Sequence, residues 1–312
     1  DHRDLHSFPT RRSSDLKQDI INSAFGVGSA IFISRVLPRR IGHKVAAGIG
    51  SVIAARKSLD YATALRVNQW VISGQTLSSV ELDRRVKAVF RSTATCLYDF
   101  YHSLRNPDEI VSRVEFDPKI PEYFDPKVKK NAVFVAPHLS NFDFLGQALG
   151  LKGFTFQILS YPDPNSGYKW QNKIRTDVGQ IITPTSIASM RQARTRLLDG
   201  GNVLTGLDRP VDTLKYRPRF FGHPAALPVA YTHLALQANV PVVVVSAITR
   251  PDGDYYLYAS DPIKMVTTGD AYAESIRNTE AVLEVASDVI AKHPEQWSMF
   301  YPVWPQFLSV HP

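Results

Sequence analysis

The chain has 312 residues, 44% hydrophobic and 21% charged, enough to bury a substantial core as one large domain or a domain with an appendage. A lone cysteine, Cys96, excludes an intramolecular disulfide framework and fits a reducing compartment. The net charge of +7 is uneven: between Lys17 and Ser73, eight basic residues face only Asp19 and Asp60. This basic segment carries no zinc knuckle, helix-turn-helix or RNA-binding signature, so a nucleic-acid partner is not expected. Its interleaved apolar stretches point to anionic lipid.

Residues 1–16 resemble the conceptual translation of a sequencing adapter, so the native sequence is expected to begin near Lys17. Ile20–Val36 is apolar but interrupted by polar and glycine residues, and it is short for a spanning helix. After Pro38-Arg39-Arg40, a helix over Ile41–Ile53 sets Ile41, Val45, Ile49, Val52 and Ile53 on one side, with Arg40, His43 and Lys44 among the polar positions. Such a helix lies on a membrane, its cations near phosphates, or else packs as an arm with a solvated basic face. Helices are expected over Leu59–Val71 and Val80–His102, the second capped by Ser78 or Ser79 with Glu81 in its first turn. Residues 17–105 therefore read as a basic amphipathic helical arm, membrane-associated and either peripheral or N-terminally anchored.

Pro107 breaks this pattern, and residues 108–131 read as a connector with one short strand at Val111–Phe116. From there strands alternate with helices. An apolar strand runs from Val133 to Pro137, and Phe154–Ser160, Ile181–Thr183, Val203–Leu207 and Val240–Ile248 follow as strands. Tyr255–Ala259 pairs with the last across Pro251-Asp252-Gly253, and helices cover Lys169–Val178, Ile187–Leu198, Leu227–Ala238 and Ala271–Ile290. Residues 106–312 are thus an α/β unit: a mixed, largely parallel central sheet with flanking helices.

Three places set polar groups at strand ends: His138 with Asn141 and Asp143, Arg175 before the Ile181 strand, and Asp208-Arg209 after the Val203 strand. In one continuous helix His138 and Asp143 would lie about 140° apart. A turn between them lets Asp143 face back and hold one imidazole nitrogen while the other takes a proton. Ser140 and Asp143 also suit a plain capping box. No Gly-x-Ser-x-Gly elbow surrounds Ser140, and the histidines show no metal-ligand spacing, so no metal site is expected. Cys96, among Phe90, Leu97 and Phe100, reads as a core residue.

In order, these segments resemble the lysophospholipid acyltransferase superfamily, in particular its lipid A lauroyl/myristoyl and phosphatidylinositol mannoside acyltransferase branch. The residues carrying the resemblance are His138–Asp143 as a His-x4-Asp box, Asn172–Gly179, Asp208-Arg209-Pro210, the run Phe220–Ala225, the strand Val240–Val245 and the block His293–Trp297. Pro38-Arg39-Arg40 and Leu65–Asn68 add to it. After Trp297, where the lipid A enzymes carry a basic run, this chain has Met299–Trp304, which leaves the acceptor open. The resemblance implies an O-acyltransferase at the cytoplasmic face of the inner membrane. It would use an acyl carrier protein or coenzyme A thioester as donor, no further cofactor, and a membrane glycolipid as acceptor. His138 would be the base and Asp143 its orienting acid. Arg175 would contact the oxyanion or the donor phosphate, Asp208 and Arg209 would orient the acceptor, and Asn141 would fix the turn or touch substrate. The rival readings are a glycerophospholipid acyltransferase, a thioesterase or hydrolase, and a silent lipid-binding protein.

Overall fold

Valine-rich strands with hydrophobic residues at both odd and even positions must be covered on both faces, and the sheet of this protein is. The computed structural model describes residues 34–162, 166–211 and 213–312, so the adapter-like segment and nearly all of Ile20–Val36 lie outside the described residues. After a helical turn at 34–36, the described residues continue with three helices, α1 (Arg39–Ala54), α2 (Asp60–Ile72) and α3 (Ser79–Ser103). The capping box expected for α3 forms: the Ser78 amide donates to Glu81 Oε2 at 2.8 Å, and Ser78 Oγ accepts from the Glu81 amide. The strand expected at Val111–Phe116 is half helix. Asn106 caps α4 (Pro107–Ser112), Pro107 occupies its first turn, and only Val114–Phe116 (β1) extends.

After the short α5 (Lys119–Glu122) the α/β alternation begins with β2 (Val133–Ala136), α6 (Phe142–Leu151), β3 (Phe156–Ser160) and α7 (Ser166–Asp177). It continues through β4 (Ile181–Pro184), α8 (Ile187–Leu198), β5 (Asn202–Gly206), the small ribbon β6 (Arg219–Phe220) and β7 (His223–Pro224), and α9 (Ala230–Ala238). The hairpin β8 (Val242–Thr249) and β9 (Tyr255–Ala259) precedes α10 (Ala271–Lys292). The main sheet has the order β1-β9-β8-β2-β5-β3-β4. The five strands from β8 to β4 are mutually parallel, and β9 with β1 runs antiparallel to them. Alternate residues of β2 serve opposite cores. Val133 and Val135 pack with α8, α9 and α10, while Phe134 packs with α6 and the end of α3.

The helical arm docks in an unusual way. Gly42, Ala46 and Gly50, four residues apart along α1, form its buried face against α3. A β-carbon at Gly42 would fall 2.0 Å from Tyr98 Cζ, and one at Gly50 would fall 2.5 Å from the Phe90 carbonyl oxygen. Because small residues make the contact, the apolar residues Ile41, Val45, Ile49 and Val52 are left exposed. Ile53 turns inward, against the cluster around Leu65 and Phe90. No helix among the described residues is long and apolar enough to cross a membrane.

Candidate active site

Strands β2 and β5 are parallel neighbours with Ala136 opposite Gly206, and two residues beyond each stand His138 and Asp208. That shared offset brings the two side chains together at the carboxyl end of the sheet. His138 Nδ1 is 2.6 Å from Asp208 Oδ1, and the His138 amide donates to Asp208 Oδ2 at 2.8 Å. The same Oδ2 accepts the indole N–H of Trp297 at 2.8 Å. Asp208 is fully buried, whereas the His138 side chain is 32% exposed. A carboxylate can only accept, so Nδ1 carries the proton and Nε2 is the basic nitrogen. The ring stands edge-on to Phe142 and over Gly206, where a β-carbon would lie 3.5 Å from His138 Cε1.

The turn after His138 is fixed from several directions. Ser140 takes a left-handed φ of 50°, its amide donates to the Gln296 carbonyl at 2.7 Å, and its hydroxyl pairs with that of Thr249 at 2.5 Å. The Ser298 amide donates to the His138 carbonyl at 2.9 Å, so the segment around Trp297 clips both sides of the turn after His138. Asn141 caps α6, and its amide nitrogen donates to the Cys96 carbonyl at 2.8 Å and the Tyr255 hydroxyl at 3.0 Å. It therefore belongs to the turn, not to a substrate surface. Cys96 is buried, and burial, aided by Asp99, pushes its thiol up to about 11.

Three expectations are corrected here. Asp143 does not hold His138: its Oδ1 accepts from Arg175 Nε at 2.8 Å and from Arg175 Nη2 at 2.5 Å. The physical reason is that a buried guanidinium needs a counter-charge and the first turn of α6 supplies it, while the end of β2 faces β5. Arg175, with Nη1 on Asn172 at 2.8 Å, is occupied by this ion pair and not presented to an oxyanion. Burial opposes its charge, but Asp143 and Tyr168 outweigh burial and hold its pKa above the usual guanidinium value. Asp208 likewise does not orient an acceptor, because its oxygens are engaged by His138 and Trp297. Arg209 remains partly exposed, its guanidinium carbon 4.3 Å from the ring centres of both Tyr161 and Tyr301.

A family model described as bacterial lipid A biosynthesis acyltransferase matches residues 13–306. The chain belongs to this acyltransferase family. Over 183 residues it is 26% identical to the phosphatidylinositol mannoside acyltransferase of Mycobacterium tuberculosis strain ATCC 25618 / H37Rv. That match covers 57% of this chain and 56% of the relative. The protein of the same name from strain CDC 1551 / Oshkosh matches equally well. The chain thus spans a little over half the length of the curated relatives it matches. The His138 imidazole has one nitrogen tied and one free: no hydrogen bond occupies Nε2 among the described residues. Trp297 is the member of the site that sequence reasoning missed. Its block was legible, but as an aromatic residue in an apolar tail it reads as packing.

Proposed function

We propose that this acyltransferase moves a fatty acyl group from an acyl carrier protein or coenzyme A thioester to a hydroxyl of a membrane glycolipid. The acceptor would be of the phosphatidylinositol mannoside or lipid A kind. The observation that carries the reading is the His138 imidazole, fixed on buried Asp208 through Nδ1 and free at Nε2. The acceptor hydroxyl gives its proton to Nε2 as its oxygen bonds to the thioester carbonyl carbon. The carbon–sulfur bond then breaks, and the departing thiolate takes the proton from the imidazolium. Asp208 holds the tautomer and steadies the imidazolium without accepting the proton. Ser140 is buried with its hydroxyl on Thr249, which favours direct transfer over an acyl-enzyme.

The exposed stripe Ile41, Val45, Ile49 and Val52, beside exposed Arg40 and Lys44, supports docking on an anionic bilayer. We infer the cytoplasmic face of the inner membrane, where carrier-protein and coenzyme A thioesters are at hand. Mass spectrometry of lipids from cells expressing the protein or its His138→Ala form tests the proposal. An acylated glycolipid that disappears in the variant supports it, and an unchanged product sinks it. Release of free fatty acid with no acylated lipid would favour hydrolysis instead.

A further inference from the structure

We propose that the Ser160 hydroxyl holds the oxyanion of the tetrahedral intermediate, across Gly206 from the His138 imidazole; this rests on the acyl-transfer reading above. Strand register carries the placement. Ala136, Gly206 and Ser160 are the last residues of β2, β5 and β3, three strands adjacent in the sheet. Ala136 stands opposite Gly206, and the pairs Ile158–Leu204 and Leu159–Thr205 put Ser160 opposite Gly206 on its other side. Residues two apart on a strand share a face. Ala136, Ile158 and Leu204 all pack on the side of Phe134 and Phe144, so the Ser160 side chain points to that side too. The His138 ring stands over Gly206 on the same face.

Ser160 Oγ is shielded from water and has no hydrogen-bond partner among the described residues. Its backbone is satisfied, since its carbonyl accepts from the Thr185 amide at 2.9 Å and the Thr185 hydroxyl at 2.8 Å. A buried hydroxyl left unpaired weakens a fold, so its partner is a group the fold does not supply. Ser246, whose hydroxyl is likewise unpaired, shares the opposite face with Val244. A β-carbon at Gly206 would meet His138 Cε1 at 3.5 Å and the Ala136 carbonyl oxygen at 4.0 Å, so glycine keeps the middle of the row open for the reacting carbon. Arg175, the cation expected at the oxyanion, is closed on Asp143. As the acceptor oxygen bonds to the thioester carbon, its proton passes to His138 Nε2 and the carbonyl π pair moves onto the oxygen. Ser160 donates a hydrogen bond to that oxygen and keeps its own proton. The pair returns as the carbon–sulfur bond breaks, and the thiolate takes the proton from the imidazolium. The thioester carbonyl must displace the cover over Ser160 to reach it, and the bond then forms in a dry setting, where it is strongest.

Thiol release by the full chain from palmitoyl-coenzyme A and from palmitoyl acyl carrier protein, with and without phosphatidylinositol mannoside, tests this role. Ser160→Ala should lower kcat on the order of 100-fold with little change in KM. Its melting temperature should stay at or above wild type, because no hydrogen bond of the fold is lost. Ser160→Thr, which restores the hydroxyl, should recover most of the rate. Equal kcat in wild type and Ser160→Ala overturns the proposal. A loss that comes with a lower melting temperature and is not repaired by threonine overturns it too, and makes Ser160 a packing residue. If the alanine variant misfolds, Gly206→Ala serves, since its β-carbon occupies the place of the reacting carbon; wild-type kcat there overturns the placement. Failure of the acyl-transfer reading shows separately. If wild type yields only free fatty acid, that reading falls, and a slower hydrolysis by Ser160→Ala still upholds the oxyanion contact. Thioester left intact by wild type overturns both.

Discussion

His138 Nδ1 lies 2.6 Å from Asp208 Oδ1 although 70 residues separate them, because each stands two positions beyond a register pair of neighbouring parallel strands. The pairing of this imidazole with a carboxylate is thus set by strand pairing, not by the local segment. Asp208→Asn keeps the volume but offers an amide where an acceptor is needed, so the imidazole loses its tautomer. We expect kcat to fall on the order of 10³- to 10⁴-fold with little change in KM. Asp143→Asn should act chiefly on stability, at about 3–5 kcal/mol, by leaving buried Arg175 without its counter-charge. Transfer rates and thermal melts of both variants decide between them: a larger kcat loss in Asp143→Asn would return the orienting role to Asp143.

In the proposed mechanism Trp297 acts through Asp208. Trp297→Phe retains an aromatic ring in the buried site but removes the N–H that donates to Asp208 Oδ2, together with part of the indole's volume. A hydrogen bond to a charged group contributes about 1.5–3 kcal/mol, so kcat should fall roughly 10- to 100-fold. An unchanged kcat with a lowered melting temperature would reduce Trp297 to packing.

The sheet was legible because its strands are short β-branched runs punctuated by proline and glycine, and β8 even shows the continuous apolar pattern of a strand covered on both sides. The strand ends that carry His138 and Asp208 were legible too, since each residue follows such a run. Their pairing was not, because nothing in Val133–Ala136 or Asn202–Gly206 states that these two strands are neighbours or which residues align. The spacing between His138 and Asp143 offered a local partner, and the structure gives that acid to Arg175. Likewise the apolar positions of α1 were legible, but not that glycines would make the packed face.

That inversion makes the arm testable apart from the fold. Val45→Glu and Ile49→Glu alter side chains directed away from α3, so melting should stay near wild type while binding to anionic vesicles weakens about tenfold or more for each. Charge reversal at exposed Arg40 and Lys44 should weaken binding by about 1 kcal/mol each, more at low salt. Gly42→Leu should instead unseat the helix, because its β-carbon falls on Tyr98. Vesicle co-sedimentation insensitive to all the surface changes would leave α1 as a structural arm.

The arm is fastened to the turn after His138 through Asp99, which gives its attachment a dependence on acid. Asp99 is buried and accepts from His43 Nε2 at 2.6 Å, Arg113 Nη2 at 2.7 Å and the Tyr255 hydroxyl at 2.7 Å. Tyr255 in turn accepts from Asn141, the cap of α6. Burial alone would raise the Asp99 carboxyl, but the hydrogen bonds from His43 and Arg113 outweigh it and hold it well below the usual carboxylate range. A carboxyl depressed in the folded state contributes stability that is complete above its unfolded value of about 3.9 and is lost as pH falls toward the folded value. Asp99→Asn leaves buried Arg113 without its main counter-charge, so at pH 7 we expect a loss of about 3–5 kcal/mol. Measured by denaturant unfolding, the gap between wild type and variant should narrow by roughly 1 kcal/mol between pH 4 and pH 3, because the unfolded wild-type chain then takes up a proton at Asp99 while the folded carboxyl stays ionised. A gap of equal size at pH 7 and pH 3 would show that the contribution comes from packing and not from the ionised group.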